Sequence, residues 1–155
     1  NKYSYACTVG ACLSYMLLHQ QDAVGLITFD EDVRQVVPAR SAHNHMEAIL
    51  KAMHVSRPKD KTNIERIIRR VAENIPMRSM VVLISDIFVD REAFFRGIEM
   101  LRHGRHDILV FHVMDHEELT FPFSGTTRFE DLEGPDVITC DPRALRQGYI
   151  EVVEE

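Results

Sequence analysis

The chain has 155 residues, 45% of them hydrophobic, and this composition suits one compact domain with a buried core. A formal net charge of -6 argues against nucleic acid as the main partner. No segment approaches the roughly 20 apolar residues that a membrane-spanning helix needs. The three cysteines include no CxxC pair, and Cys7 and Cys12 fall on different faces of a predicted helix, so these two are not expected to be joined by a disulfide. This pattern favours a reducing, cytoplasmic compartment.

The first predicted element is a helix from Tyr3 to Gln20, in which apolar residues recur at helical spacing. These residues are Ala6, Val9, Leu13, Met16 and Leu17. The most apolar part, Ala6 to Leu18, indicates a buried helix. Because the chain has no initiator Met and opens directly in this helix, we expect it to be a fragment of a longer protein.

A β-hairpin is predicted next. Asp22 to Phe29 is rich in β-branched and aromatic residues, and Val33 to Val37 forms a second strand after the turn Asp30-Glu31-Asp32. Two strands joined by so short a turn must be antiparallel. Pro38 is expected to end the second strand, and a proline there indicates an edge strand because it has no N–H to donate.

Three amphipathic helices are predicted in the middle of the chain. One runs from His45 to His54, one from Thr62 to Ile75 and one from Arg91 to Arg102, with Gly104 as its C-cap. The second begins with Thr62-Asn63-Ile64-Glu65, which has the form of a capping box. The residues expected to face the core are Met46, Ile49, Leu50 and Met53 in the first helix, Ile64, Ile67, Ile68, Val71 and Ile75 in the second, and Phe94, Phe95, Ile98 and Leu101 in the third.

The stretch from Met80 to Ile84 is continuously apolar, which is typical of a parallel strand covered by helices on both faces. Asp107 to Met114 is a second strand of this kind. Ligands of open α/β sheets bind outside the carboxyl ends of the strands, which is where Ser85 and Asp86 would lie. The alternative is that Asp86 only braces the loop that follows the strand.

Apolar strands and amphipathic helices alternate along the chain, and Val137 to Thr139 and a helix beginning at Pro142 complete the series. This alternation predicts a single domain over residues 1–155 with a doubly wound, mostly parallel α/β sheet. The strand from Val33 to Val37 is expected to be antiparallel at one edge. The strands beginning at Asp22 and Met80 are expected to share the sheet.

Motifs of catalysis are missing from the sequence. Ser85 lacks the GxSxG elbow of a nucleophilic serine, and there is no glycine-rich phosphate loop. The eight histidines form no HExxH pair and no zinc-type spacing, so they are interpreted as structural or surface residues. Asp86 and Asp115 both follow parallel-type strands, and paired carboxylates are able to do acid–base work. The alternative function is therefore a metal-dependent hydrolase that uses these two residues.

The order of elements resembles a von Willebrand factor A-type domain. More specifically, it is similar to the bacterial domain-of-unknown-function family fifty-eight, whose genes often neighbour those of MoxR-type AAA ATPases. The segments that carry the resemblance are Gln21 to Leu26 with Phe29, Val81 to Asp86, His106 to Asp115, Glu118 to Phe123, Phe129 to Glu133, and Asp141-Pro142 with Leu145, Arg146 and Tyr149.

The resemblance implies a recognition face with part of a metal-ion-dependent adhesion site. Such sites hold Mg²⁺ with a DxSxS segment after the first strand, a Thr in a later loop and an Asp after the fourth strand. By position, Thr62 matches the Thr and Asp86 matches the Asp, while the DxSxS segment is absent from this sequence. The implied binding face comprises Thr62, Asn63, Ser85 and Asp86. No ordered metal is expected with these residues alone.

The resemblance also implies a further strand between those beginning at Asp22 and Met80. The side chains of one central strand contribute about 1.5–3 kcal/mol each on burial, whereas a whole domain is stable by about 5–15 kcal/mol. Either an upstream segment therefore supplies this strand, or the Asp22 and Met80 strands pair directly.

The expected function follows from the absence of catalytic motifs together with the resemblance. We expect a non-enzymatic protein-interaction domain in the bacterial cytoplasm. It would act with a MoxR-type AAA ATPase on client proteins in assembly or remodelling. Its binding face would be Mg²⁺-dependent in the longer protein, and nucleic acid is not expected as a partner.

Overall fold

A computed structural model describes residues 1–42, 44–56, 64–123, 127–130, 137–140 and 142–154. The chain forms two compact units, Asn1–Val113 and Met114–Glu155. The prediction of one domain over residues 1–155 stays a prediction.

The first unit alternates helices and strands, as the sequence pattern predicts. Its described elements are α1 (Lys2–His19), β1 (Val24–Phe29), β2 (Val33–Arg40), α2 (His45–Val55), α3 (Ile64–Asn74), β3 (Met80–Ser85), α4 (Arg91–His103) and β4 (Asp107–His112). The mixed α/β class is thereby confirmed, and Gly104 is the C-cap of α4. In the second unit the described elements are α5 (His116–Thr120), β5 (Thr127–Glu130), β6 (Val137–Cys140) and α6 (Pro142–Glu154).

The described strands pair two by two. β1 and β2 form the predicted antiparallel hairpin, and β5 and β6 form another. β3 and β4 pair in parallel without interruption, from Met80 opposite Asp107 to Ser85 opposite His112. The parallel relation of these two apolar strands is thus confirmed, although Leu83 is the one residue of β3 that is buried.

The prediction of a single doubly wound, mostly parallel sheet needs correction. Among the described residues, β1 and β3 belong to separate two-stranded sheets, and one of the three strand pairs is parallel. Direct pairing of the Asp22 and Met80 strands is also wrong, because no hydrogen bonds join β1 to β3 in this part of the chain. Helix α1 contacts both strands. A Cβ atom at Gly10 would lie 3.1 Å from Met53 Cε in α2 and 3.5 Å from Ile84 Cδ1 in β3, so α1 packs closely on both of these elements.

Strand β2 does not end before Pro38, as the sequence predicts, but continues to Arg40. Leu26 pairs with Val37 and Val24 pairs with Arg40, so β2 has one more residue than β1 between these two pairs. This irregularity is a bulge. Proline is tolerated at bulges because its missing N–H breaks no ladder hydrogen bond there.

The apolar core of the first unit consists of two clusters. One gathers Val24, Ile49 and Met53, where the hairpin, α1 and α2 meet. The other gathers Ile64, Ile68 and Leu101, where α3 packs on α4. The core face predicted for α3 is confirmed by the burial of its isoleucines.

Two residues predicted to face the core are exposed instead. Leu50 is 47% exposed and Phe95 is 53% exposed. Each follows a residue that packs inward, Ile49 in α2 and Phe94 in α4. Neighbouring helical positions are about 100° apart around the axis, so only one of each apolar pair lies on the buried face.

Glycine at position 97 allows the close packing of α4 on α3. A Cβ atom there would lie 2.6 Å from Cδ1 of Ile68 and 3.3 Å from its Cβ. Gly148 in α6 provides a contrast, since a Cβ atom there would meet nothing within 4 Å.

We predict opposite effects of alanine at these two positions. Gly97→Ala should lower the free energy of unfolding, because overpacking costs about 1–3 kcal/mol and the better helix propensity of alanine returns at most about 1 kcal/mol. Gly148→Ala is the matched control and should stabilise the protein by up to about 1 kcal/mol. Urea unfolding of both variants checks this, and equal stabilisation would contradict the α3–α4 packing described here.

Candidate recognition site at the carboxyl end of the parallel strands

Ser85 and Asp86 lie where the sequence predicts, at the carboxyl end of β3 and beside the end of β4. Their backbone carbonyls are both bonded to the neighbouring strand end. His112 Nε2 donates to the carbonyl oxygen of Asp86 at 2.9 Å, and Val113 N donates to that of Ser85 at 2.9 Å. The backbone at this end of the sheet is therefore held in place.

The side chains of Ser85 and Asp86 have different surroundings. Ser85 Oγ accepts a hydrogen bond of 3.1 Å from Ile87 N. The Asp86 carboxylate lies 3.1 Å from Lys2 Nζ at the start of α1, and both side chains are partly exposed. Surface ion pairs of this kind contribute about 0–1 kcal/mol, so the Asp86 carboxylate remains accessible to a partner. The alternative that Asp86 only braces the loop stays a prediction, because the bond from His112 goes to the backbone carbonyl and not to the Asp86 side chain.

The loop after Asp86 has features that the sequence interpretation missed. Ile87 has φ 50°, a conformation that β-branched residues rarely adopt, and Phe88 is 86% exposed. Val89 N donates to Ile87 O at 2.8 Å, and the Asp90 side chain caps α4 by accepting from Ala93 N at 2.8 Å. A bulky apolar side chain is thus presented on a constrained loop. The signal in the sequence is the apolar triplet Ile-Phe-Val between two aspartates, where polar loop residues are usual.

Two of the predicted binding-face residues, Thr62 and Asn63, lie outside the described residues. The capping role and the metal-ligand role of Thr62 both stay predictions. Glu65, the other half of the predicted capping box, lies in the first turn of α3. Its carboxylate contacts Arg69 at 3.2 Å and Arg96 at 3.3 Å.

The resemblance implies Mg²⁺ at this end of the sheet, and the donor set can be tested against that ion. Mg²⁺ prefers several oxygen ligands in octahedral geometry. Among the described side chains here, one carboxylate, Asp86, is present, and an ammonium group already lies beside it. The described part of the chain contains no group of three or more His, Cys, Asp or Glu side chains that would hold a metal ion. These residues alone do not fit a Mg²⁺ site.

Histidines in the described regions make structural contacts. His45 Nε2 donates to the Val24 carbonyl at 2.9 Å and is buried with it. His106 is also buried, and its Nδ1 accepts from Ser79 N at 3.2 Å. For these two residues the structural interpretation is confirmed.

Asp115, the second carboxylate of the hydrolase alternative, belongs to the second unit and caps α5. It accepts from Glu117 N at 3.2 Å, while the Glu118 carboxylate accepts from Asp115 N at 2.7 Å. This is a capping box, which the sequence interpretation did not recognise in the pattern Asp-x-x-Glu.

Asp30, at the carboxyl end of β1, is the one buried carboxylate of the described residues, with 2% of its surface exposed. Arg34 Nε donates to its two oxygens at 2.6 and 2.7 Å, and Asp32 N donates at 3.3 Å. Burial raises the pKa of Asp30, but the bonds from Arg34, Asp32 and the Glu31 backbone, with the Arg34 charge, outweigh it and lower the pKa below 3.8. The carboxylate is therefore a fixed structural anion.

The next acidic residue of the turn, Asp32, fastens the hairpin to α3. Its carboxylate lies 3.2 Å from Arg66 Nη2 and 3.0 Å from Arg70 Nη1. The residues treated in the sequence only as a turn thus join two elements of the first unit.

A groove of about 690 Å³ lies between α1 and α2. The Tyr3 hydroxyl lies 2.9 Å from the Met53 carbonyl and 2.8 Å from that of Ser56, so it caps the carboxyl end of α2. Burial, followed by contact with Cys7, raises the pKa of Tyr3 to about 12. Tyr3 is therefore neutral at physiological pH, and its role here is structural.

Residues 1–155 match the family described as protein of unknown function DUF58. The chain belongs to this family. No curated protein and no solved structure matches this DUF58 chain. None of its described helices has the length and apolarity required to cross a membrane.

We predict a pH-dependent effect of Asp30→Asn. At pH 7 the variant should lose about 1–3 kcal/mol of unfolding free energy, because Arg34 loses its charged, buried partner. The pKa of Asp30 in the folded protein lies below its ordinary value of 3.8. The stabilisation of the fold by the Asp30 carboxylate is therefore present above pH 3.8, and it is lost as the pH falls through the folded-state pKa. Denaturation from pH 7 to pH 3 should therefore show the two proteins converging below about pH 4.

Asp32→Asn is the control for this measurement. The Asp32 side chain is one-third exposed, so its loss at pH 7 should be smaller. If the unfolding free energies of Asp30→Asn and the parent protein differ by the same amount across the whole pH range, the Asp30 carboxylate is not the stabilising group.

Proposed function

We propose that this DUF58 domain is a non-enzymatic protein-binding module whose recognition face is the carboxyl end of β3. The supporting observation is Phe88, 86% exposed on a loop that is hydrogen-bonded at both ends and lies beside the Asp86 carboxylate. Buried aromatic anchors carry much of the energy of protein interfaces. A side chain already held in position loses little conformational freedom on binding.

The proposed partner is a MoxR-type AAA ATPase, with which the domain would act on client proteins in assembly or remodelling in the bacterial cytoplasm. This partner comes from the family resemblance. The net charge of -6 supports a protein rather than a nucleic acid as the ligand.

The proposal includes a von Willebrand factor A-like arrangement of the first unit. Three features support it: the antiparallel hairpin, the parallel β3–β4 pair, and helix α1, which contacts strands of both sheets. In this arrangement a further strand from an upstream segment would lie between β1 and β3.

The hydrolase alternative has less support from the contacts of its two carboxylates. Asp115 is engaged in the capping box of α5, and Asp86 pairs with Lys2. A helix cap and a surface ion pair are common structural contacts of a carboxylate.

The protein-binding proposal predicts a loss of affinity when Phe88 is truncated. Phe88→Ala should weaken binding to the purified MoxR-type ATPase by about tenfold or more, as expected for an aromatic anchor. Asp86→Ala should also weaken it. Met77→Ala is the matched control, since Met77 is 70% exposed but precedes the opposite end of β3. Calorimetry gives the affinities, and unchanged binding of Phe88→Ala would exclude this loop as the contact.

A dependence on Mg²⁺ is proposed for a longer chain that includes the DxSxS segment. Calorimetric titration of that chain with Mg²⁺ should show binding that Asp86→Ala weakens. Lys2→Met should strengthen it severalfold, because an ammonium group no longer competes for the carboxylate. If the longer chain gives no heat on titration with Mg²⁺, or if Asp86→Ala gives the same heat as the parent protein, then Asp86 has no metal-binding function.

A further inference from the structure

The amino ends of β3 and β4, at the opposite end from the proposed recognition face, carry a group of exposed arginines. Arg78 and Arg105 occupy equivalent positions, because each lies two residues before the first paired residue of its strand. Arg102 lies in the last turn of α4, and its carbonyl oxygen accepts from Arg105 N at 2.9 Å. All three arginines are exposed, and we name them the arginine cluster.

The backbone at Arg78 and Arg105 has the left-handed conformation that favours glycine, with φ of 63° and 56°. Gly104 directly precedes Arg105, but its own φ is -71°. The two turns are joined, since Arg78 N donates to the Gly104 carbonyl at 3.2 Å. The buried His106 ring supports them, because its Nδ1 accepts from Ser79 N at 3.2 Å. Two charged side chains thus extend from neighbouring turns, at positions that glycine would occupy with less strain.

The arginine cluster lacks the counter-charges that other arginines of the first unit have. The arginines of α3 pair with Glu65 or Asp32. Within the described ranges, by contrast, no ion pair is found for any member of the arginine cluster. Asp107 is the one acidic residue in the segments 76–80 and 102–107. Adjacent like charges repel each other, and a bound anion relieves that repulsion.

An apolar groove of about 400 Å³ lies between α4 and β4, and we name it the α4–β4 groove. Arg102 belongs to its lining, so the groove and the arginine cluster form one continuous surface. Phe95 is 53% exposed there, and the Arg91 guanidinium lies 5.9 Å from its ring centroid. The apolar lining consists of Phe94, Phe95, Ile98, Ile108 and Val110.

We infer that this surface binds an acidic segment of a partner protein. Carboxylates of the segment contact the arginine cluster, and an apolar side chain of the same segment enters the α4–β4 groove. The charge selects the occupant, because the guanidinium fork matches a carboxylate with two parallel hydrogen bonds. The groove selects a peptide over a simple anion or a nucleic-acid backbone, since a phosphate group has no apolar side chain to bury.

The net charge of -6 does not prevent this binding. At physiological ionic strength, charges on the surface that are more than about 8 Å apart are largely screened, so the local arginines dominate the interaction. The surface lies at the other end of the strands from Phe88. It therefore binds its acidic segment whether or not the proposed recognition face binds a partner.

Glycine substitution separates a binding function of the arginines from a structural one. Arg105→Gly should leave the midpoint of urea unfolding unchanged or raise it. Relief of the backbone strain and of the repulsion from Arg78 offsets the greater freedom of glycine in the unfolded chain. A lowered midpoint would show that the Arg105 side chain stabilises the fold, and it would contradict the inference.

Fluorescence anisotropy tests the charge requirement with a labelled synthetic peptide of glutamates and leucines that contains one phenylalanine. The purified protein should bind this peptide, and raising the NaCl concentration should weaken the binding. Joint substitution of Arg78→Gln and Arg105→Gln should weaken it about tenfold or more, because two charge-assisted contacts are lost. Arg40→Gln is the matched control and should change nothing, since Arg40 is exposed at the end of β2.

The groove is tested with the same peptide. Val110→Ala should weaken binding severalfold, because Val110 is 37% exposed and lines the groove. Leu109→Ala is the control, since Leu109 is 40% exposed but successive strand residues point to opposite faces. Equal effects of these two variants would exclude the groove as part of the site.

Three further results would overturn the inference. One is no binding of the glutamate peptide up to about 1 mM, or equal binding of a peptide with glutamines in place of the glutamates. A second is tighter binding of a labelled single-stranded oligonucleotide, which would assign the arginine cluster to nucleic acid. The third is self-association in sedimentation equilibrium that the Arg78→Gln and Arg105→Gln substitutions abolish, which would assign the surface to a second copy of the chain.

Discussion

The parallel ladder between β3 and β4 determines the position of every described group at the proposed recognition face. It aligns Ser85 with His112, and the two strand ends meet at one edge. Because the strands are parallel, the chain must cross over through α4, which starts at Arg91. The few residues between β3 and α4 must reverse direction and also cap the helix. The left-handed conformation of Ile87 accompanies this tight connection, and such strain of about 1–3 kcal/mol occurs mainly where the surrounding structure fixes it.

Carboxylates at the strand ends of this protein have mainly structural functions. Asp30 anchors the hairpin through Arg34, Asp32 joins the hairpin to α3, and Asp115 caps a helix. Each is satisfied by hydrogen bonds or by arginines within its own unit. Asp86 differs, since its carboxylate is partly exposed and its one described ion pair is with a flexible lysine. An acidic residue after a strand is therefore weak evidence for catalysis unless its contacts are known.

Much of the local structure follows from the sequence, and less of the sheet arrangement does. Apolar residues at helical spacing locate α1, β-branched and aromatic residues on either side of a short turn locate the hairpin, and a continuous apolar run locates β3. The distribution of apolar residues does not predict which strand lies next to β1, because it indicates which side chains are buried and not which strands are hydrogen-bonded to each other. It places Ser85 and Asp86 correctly, because carboxyl ends of parallel strands share an edge. The backbone of Ile87 and the exposure of Phe88 depend on the tertiary contacts of one loop, which no periodicity encodes.

The first turn of α1 contacts two segments that are distant in the sequence. Lys2 reaches the loop after β3, and the Tyr3 hydroxyl holds the last carbonyls of α2. These two adjacent residues therefore connect the loop after β3 to the carboxyl end of α2. A variant that starts only three residues later would lose the contacts of Lys2 and of Tyr3 together. Fusions and truncations near residue 1 thus alter the surface at Asp86, although that residue is more than 80 positions away in the sequence.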